Sequence, residues 1–229
     1  PDQQVETLRR GLAGADAVLL PDASAPLGQR VRIALRYGLV PVATGTYIRG
    51  TLDVDDGLRK IMAAGAEAVV MIGTYEPCAK FIRMARKGGY DPVFYNVSFV
   101  GADALARLLG ENGEGVIVSQ VVPPPETLGE DKPLWGAEEY VKLLSAYYPE
   151  DRPNFVGLEG YINARVLVEG LRRAGRQLDR ESFVRAIESI RDYDLGIANP
   201  LSFSPQDHQG LERVYFTKIE GGRFVLLED

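Results

Sequence analysis

The sequence predicts an α/β protein whose first half is a parallel, doubly wound sheet and whose middle is helical. Three observations lead there. Apolar strand-like runs begin near residues 17, 40, 68, 92 and 116, and each interval leaves room for one crossover helix, which implies right-handed βαβ units. The run VVMIG from Val69 is apolar without alternation, the pattern of a strand buried on both faces. After Val122 the strands stop, and Pro123-Pro124-Pro125 leads into helical patterns at about 136–147, 157–174 and 180–191 with no strand between them.

Taken in order, residues 3–12 set Val5, Leu8 and Leu12 on one helical face, and Asp16–Leu20 follows as a short apolar strand. Leu27–Tyr37 is helical in pattern with Gly38 as its C-cap, and Val40–Thr44 returns as a strand. Asp53 is the expected N-cap of a helix burying Val54, Leu58, Ile61 and Met62, and Gly65 closes it before the Ala68–Gly73 strand. Cys78–Lys87 is the next helix, ended by Gly88-Gly89, with Pro92–Asn96 the strand after it. A short helix over Ala102–Leu109 and a strand at Val116–Val122 complete the series. The later helices carry apolar faces, such as Tyr140, Val141, Leu143 and Leu144, that need a second sheet to cover. Leu201–Phe203, Val214–Ile219 and Phe224–Leu227 are the closing strands, the last two joined through Glu220-Gly221-Gly222 as a hairpin that suits either sheet.

Composition narrows the function. The 229 residues are 45% hydrophobic and 25% charged, with a net charge of -6 and a pI near 5.0. That acidic balance argues against a nucleic-acid partner, which calls for a basic stripe. No run approaches the roughly 20 apolar residues that span a bilayer, so no direct membrane insertion is expected. One cysteine forms no internal disulfide.

In open α/β sheets ligands bind beyond the carboxyl ends of the strands. The turn after VVMIG therefore places Thr74, Tyr75 and Glu76 at a crevice, with Pro77 in the first turn of the next helix, where its missing N–H does no harm. An ordinary βα turn would carry the same residues. Cys78, near a helix amino end, is the best nucleophile for an enzymatic reading, because that position lowers a thiol pKa. The lone histidine, His208, lies about 130 residues later, and a buried inert thiol is the plainer reading. Too few Cys and His residues are present for a structural zinc site, and glycine-rich phosphate-binding motifs are absent, so neither metal nor cofactor is expected.

Several stretches together carry a resemblance: GTYEPCAKFIRMAR from Gly73, NVSFVGADAL from Asn96, the proline crossover, LEGYINARVLVEGLRRAG from Leu158 and FSPQDHQGLERVYFTKIEGGRF from Phe203. In order and spacing they resemble the solute-binding proteins of branched-chain-amino-acid-type ABC transporters, which have the type I periplasmic binding fold. The resemblance implies that residues 1–121 form the second lobe, 122–194 a crossover and first-lobe helices, and 195–229 a return crossing with the hairpin. It also implies a further amino-terminal segment to supply the first lobe's sheet. A small ligand between the lobes, hinge closure, an ABC permease as partner, and a periplasmic or extracellular location follow from the same resemblance.

Carried over position by position, the ligand-binding residues it implies are Leu27, Tyr75 and Ser98, with Thr74, Glu76 and Phe99 as neighbours and Glu159 and Tyr161 from the first-lobe segment. Ser98 departs from the amino-acid-binding pattern, where a carboxylate neutralises the ligand ammonium. A serine leaves that buried charge unpaired. The ligand is then an amino acid only if Glu76 or Glu159 restores the charge, and otherwise a related carboxylate or aromatic compound. Gln120, just before the prolines, is a further strand-end polar residue. A ligand-sensing regulatory domain of the same fold and a small α/β enzyme using Cys78 are the alternatives.

Overall fold

The computed structural model describes residues 15–21 as backbone, and residues 41–125, 134–197 and 199–227 with side chains. The predicted helices at 3–12 and Leu27–Tyr37 lie outside the described residues. The chain divides into two compact units: one contains residues up to Ser119 and from Phe216 onward, the other Gln120–Tyr215.

The first unit is built on the sheet. Strands β1 (Ala15–Pro21), β2 (Ala43–Tyr47), β3 (Ala68–Met71), β4 (Val93–Asn96) and β5 (Ile117–Gln120) precede a closing hairpin of β6 (Tyr215–Glu220) and β7 (Arg223–Leu226). Their order across the sheet is β2-β1-β3-β4-β5-β6-β7. All four pairings from β2 to β5 are parallel, and β6 with β7 is antiparallel. Strand β3 pairs on both sides, and Val69 and Met71 are wholly buried, as its unbroken apolar run requires. Helices α1 (Asp55–Ala63), α2 (Tyr75–Lys87) and α3 (Ala102–Leu109) connect the strands. Phe81 of α2 meets Phe94 of β4 edge to face, with ring centroids 6.4 Å apart, which fixes the face of the sheet that α2 covers.

Two expectations are corrected here, and one that was open is settled. The second strand begins at Ala43, not Val40, because Pro41 has no N–H for the ladder. Asp53 does not cap α1: Thr51 and Leu52 form tight turns just before the helix, which moves the cap to Val54, and no side chain caps the N-terminus. The tail adds to the one sheet, where Ile219 exchanges backbone hydrogen bonds with Gly115 and Val116, and Thr217 Oγ1 donates to the Val118 carbonyl at 3.1 Å. Gly221 and Gly222 turn the hairpin with φ of 56° and 78°, which an L side chain resists.

The second unit holds helices α4 (Trp135–Tyr147), α5 (Phe155–Ala174) and α6 (Arg180–Glu188). Asn154 Oδ1 caps α5 by accepting from the Gly157 N–H at 2.8 Å, and Asp179 with Ser182 forms a capping box on α6. Leu201–Phe203 is not a strand: Leu201 makes only an isolated bridge with Tyr193, since Pro200 just before it offers no donor for a longer ladder.

Candidate functional site

Two neighbouring turns lie at the carboxyl edge of the parallel strands. Chain leaving β3 passes through Gly73 and Thr74 into α2, whose N-cap Thr74 is extended and makes no side-chain cap. Thr74, Tyr75 and Glu76 are all exposed there, Tyr75 at 40%. Pro77 takes the first turn, and Glu76 puts its charge beside the positive end of the helix. Chain leaving β4 forms a short 3-10 turn at Ser98–Val100. Ser98 is half-buried and Phe99 is 63% exposed, unusual for so large an apolar ring. Gly101 then adopts a left-handed φ of 80°, and a Cβ there would stand 3.0 Å from Cδ1 of Tyr75. The turn after β4 thus lies against the ring at the start of α2, and glycine is what permits the approach.

Sequence reasoning missed a residue that holds this edge together. Tyr47, the last residue of β2, is buried, and its hydroxyl oxygen accepts from the Thr74 backbone N–H. Burial raises its pKa above the usual phenol value and the Cys78 sulfur raises it further, while the Thr74 N–H opposes the rise. A Cβ on Gly73 would fall 2.6 Å from that hydroxyl and 3.0 Å from Cys78 Sγ, so any larger residue would push both side chains aside. With the strand read as ending at Thr44, nothing in the sequence set Tyr47 at a carboxyl end, where the structure places it.

Cys78 is wholly buried, and burial pushes its thiol up to about 12. That is the reverse of what a nucleophile requires. In the second unit, His208 Nε2 sits 2.9 Å from Glu188 Oε1. Among the described residues no cluster of His, Cys, Asp or Glu could hold a metal ion, and no helix is long and apolar enough to cross a membrane.

The remaining candidates are placed as follows. Leu27 lies outside the described residues. Glu159 is exposed on α5. Tyr161, two residues on, donates its hydroxyl to Glu139 Oε2 at 2.7 Å, and Arg165 Nη1 reaches the same oxygen at 2.5 Å and the Tyr161 hydroxyl at 2.6 Å. The Tyr161 hydroxyl and then the Arg165 guanidinium hold the Glu139 carboxyl below its ordinary range. Gln120 is buried at the end of β5. The structure therefore brings Thr74, Tyr75, Glu76, Ser98 and Phe99 to one strand edge of the first unit, while Tyr161 is engaged between α4 and α5.

Comparison with known proteins gives consistent results. A periplasmic binding protein family profile matches residues 23–223. Over 99% of its length the chain resembles the crystal structure of a possible leucine/isoleucine/valine-binding protein from Rhodopirellula baltica SH 1, with 34% identity, a TM-score of 0.87 and 64% of that chain covered. A substrate-binding periplasmic protein from Ralstonia solanacearum shares the fold at 23% identity and a TM-score of 0.79, with 99% of this chain and 65% of that one covered. So does a branched chain amino acid ABC transporter protein from Thermus thermophilus with bound valine, at 23% identity, a TM-score of 0.77, and 99% and 64% coverage. The chain thus spans less than two thirds of the length of these solved relatives. No curated protein matches the sequence.

Proposed function

Because this chain belongs to the periplasmic binding protein family, we propose that it is the extracytoplasmic solute-binding component of an ABC importer, acting in the periplasm and delivering its ligand to a membrane permease. The ligand in this reading is a small amino acid or a related carboxylate or aromatic compound, taken at the carboxyl edge of the parallel strands. The observation that carries it is the pair of exposed aromatic rings, Tyr75 and Phe99, presented by two adjacent strand ends beside the open N-terminus of α2. Exposed aromatic surface at such an edge suits a ligand with an apolar body, and the tyrosine hydroxyl offers it a polar contact. Closure about a hinge would follow from tighter binding to the closed state than to the open one. No covalent chemistry is needed, and the buried Cys78 thiol offers none.

Titration calorimetry of the purified protein with leucine, isoleucine, valine, phenylalanine, benzoate and benzamide tests this reading. Saturable one-to-one binding of at least one compound is expected. Heats indistinguishable from dilution for all six would overturn it.

A further inference from the structure

The last residue of β4, Asn96, is 3% exposed, and neither its side-chain nitrogen nor its oxygen has a hydrogen-bond partner among the described residues. Buried amides are almost always paired, so an orphan of this kind calls for an explanation. The rungs on either side of it offer no polar side chain. Its register partners are Met71 on β3 and Val118 on β5, both wholly buried and apolar. By strand alternation it shares the α2 face with Phe94. Along the chain it lies one strand rung beyond Phe94 towards the carboxyl edge, two residues before Ser98 and three before Phe99.

We propose that Asn96 is the polar floor of the ligand site at this edge, and that the group it reads is a neutral one that both donates and accepts, as a carboxamide does. This rests on the solute-binding reading above. An asparagine amide supplies one acceptor and two donors, the complement of another amide. Its apolar surroundings disfavour an ion, whose charge no residue of that rung would neutralise. Ser98, the next polar side chain towards the edge, is likewise neutral, so the end of β4 offers hydrogen bonds without charge. An asparagine serving only the packing of the strand would gain nothing from its amide, since leucine has the same branched outline and no polar atoms to leave unpaired.

The experiment compares benzamide, benzoate and L-leucine on wild type and Asn96→Leu by calorimetry, and follows the Asn96 side-chain amide of wild type by nitrogen-15 NMR, assigned by its absence from the variant spectrum. Wild type is expected to bind benzamide about tenfold more tightly than benzoate, the worth of about one well-placed hydrogen bond. Asn96→Leu should abolish that preference while melting no lower than wild type, and benzamide should shift the Asn96 amide resonance. Binding of benzoate or leucine at least as tight as benzamide, or an Asn96 resonance that stays still while others move, overturns this proposal and leaves the solute-binding reading standing. Should the variant not fold, the wild-type preference among the three compounds decides alone. Absence of any binding or shift with all three compounds overturns this proposal, and the solute-binding reading falls with it only if isoleucine, valine and phenylalanine also give no heat.

Discussion

The two units hold their polar side chains in opposite ways. In the first, the strand-edge residues are presented by backbone: a left-handed glycine at Gly101, a Cβ-free approach at Gly73, and one buried phenol, Tyr47, receiving the Thr74 N–H. Thr74, Tyr75 and Phe99 are left exposed. In the second, the most prominent polar group is consumed by packing, because Tyr161, Glu139 and Arg165 satisfy one another between two helices. An aromatic that the sequence offers as a ligand contact is thus already employed in one unit and open in the other. Position at a strand's carboxyl end distinguishes them better than residue type does.

Substitution of the glycines sharpens this contrast, and the effects should descend in order. Gly136, in the first turn of α4, has Leu195 and Gly196 backbone oxygens 1.9 and 3.0 Å from where a Cβ would stand. Backbone cannot swing aside as a side chain does, so Gly136→Ala should cost about 3 kcal/mol, towards the upper end for overpacking. Gly73→Ala meets the movable ends of Tyr47 and Cys78 and should cost about 1–2 kcal/mol. Urea unfolding of each variant measures both, and equal midpoints would break the distinction drawn between backbone and side-chain crowding.

A smaller effect belongs to Glu139. Its native carboxyl is held below the ordinary range by the Tyr161 hydroxyl and Arg165, so its stabilising contribution is full above the unfolded carboxylate value near 4.3 and is lost as pH falls through the depressed native value. The group is substantially exposed, 41% for its side chain, so the whole contribution should be about 0.5–1 kcal/mol. Glu139→Gln should remove that acid slope from the stability profile of the protein. An unchanged slope in the variant would mean that the cluster is geometrically present and energetically idle.

How much of this was legible in the sequence depends on the distance between the residues concerned. Strand β3 and the turn into α2 could be read directly, because an unbroken apolar run, a glycine and a first-turn proline are all local signals. Ser98 and Phe99 were reached through family resemblance alone. Tyr47 was not, since its partner Thr74 is brought to it only by the non-sequential strand order β2-β1-β3. The tail's place in the sheet was equally hidden, for Thr217 and Val118 meet across 99 residues. Tyr161 was expected to face a ligand, and nothing local announces Glu139, 22 residues away, as its hydrogen-bond acceptor. Asn96 looked like an ordinary strand residue, because burial without a partner is a property of the packed sheet alone.

The most direct test of the central claim, that the carboxyl edge of the first unit takes the ligand, is the affinity of Tyr75→Ala for whichever calorimetry compound binds wild type most tightly. Tyr75 is exposed, so its removal should leave the unfolding midpoint within experimental error of wild type while weakening binding by about tenfold or more, as loss of an aromatic contact does. Wild-type affinity in a variant of wild-type stability would contradict the claim and move the site away from this strand edge.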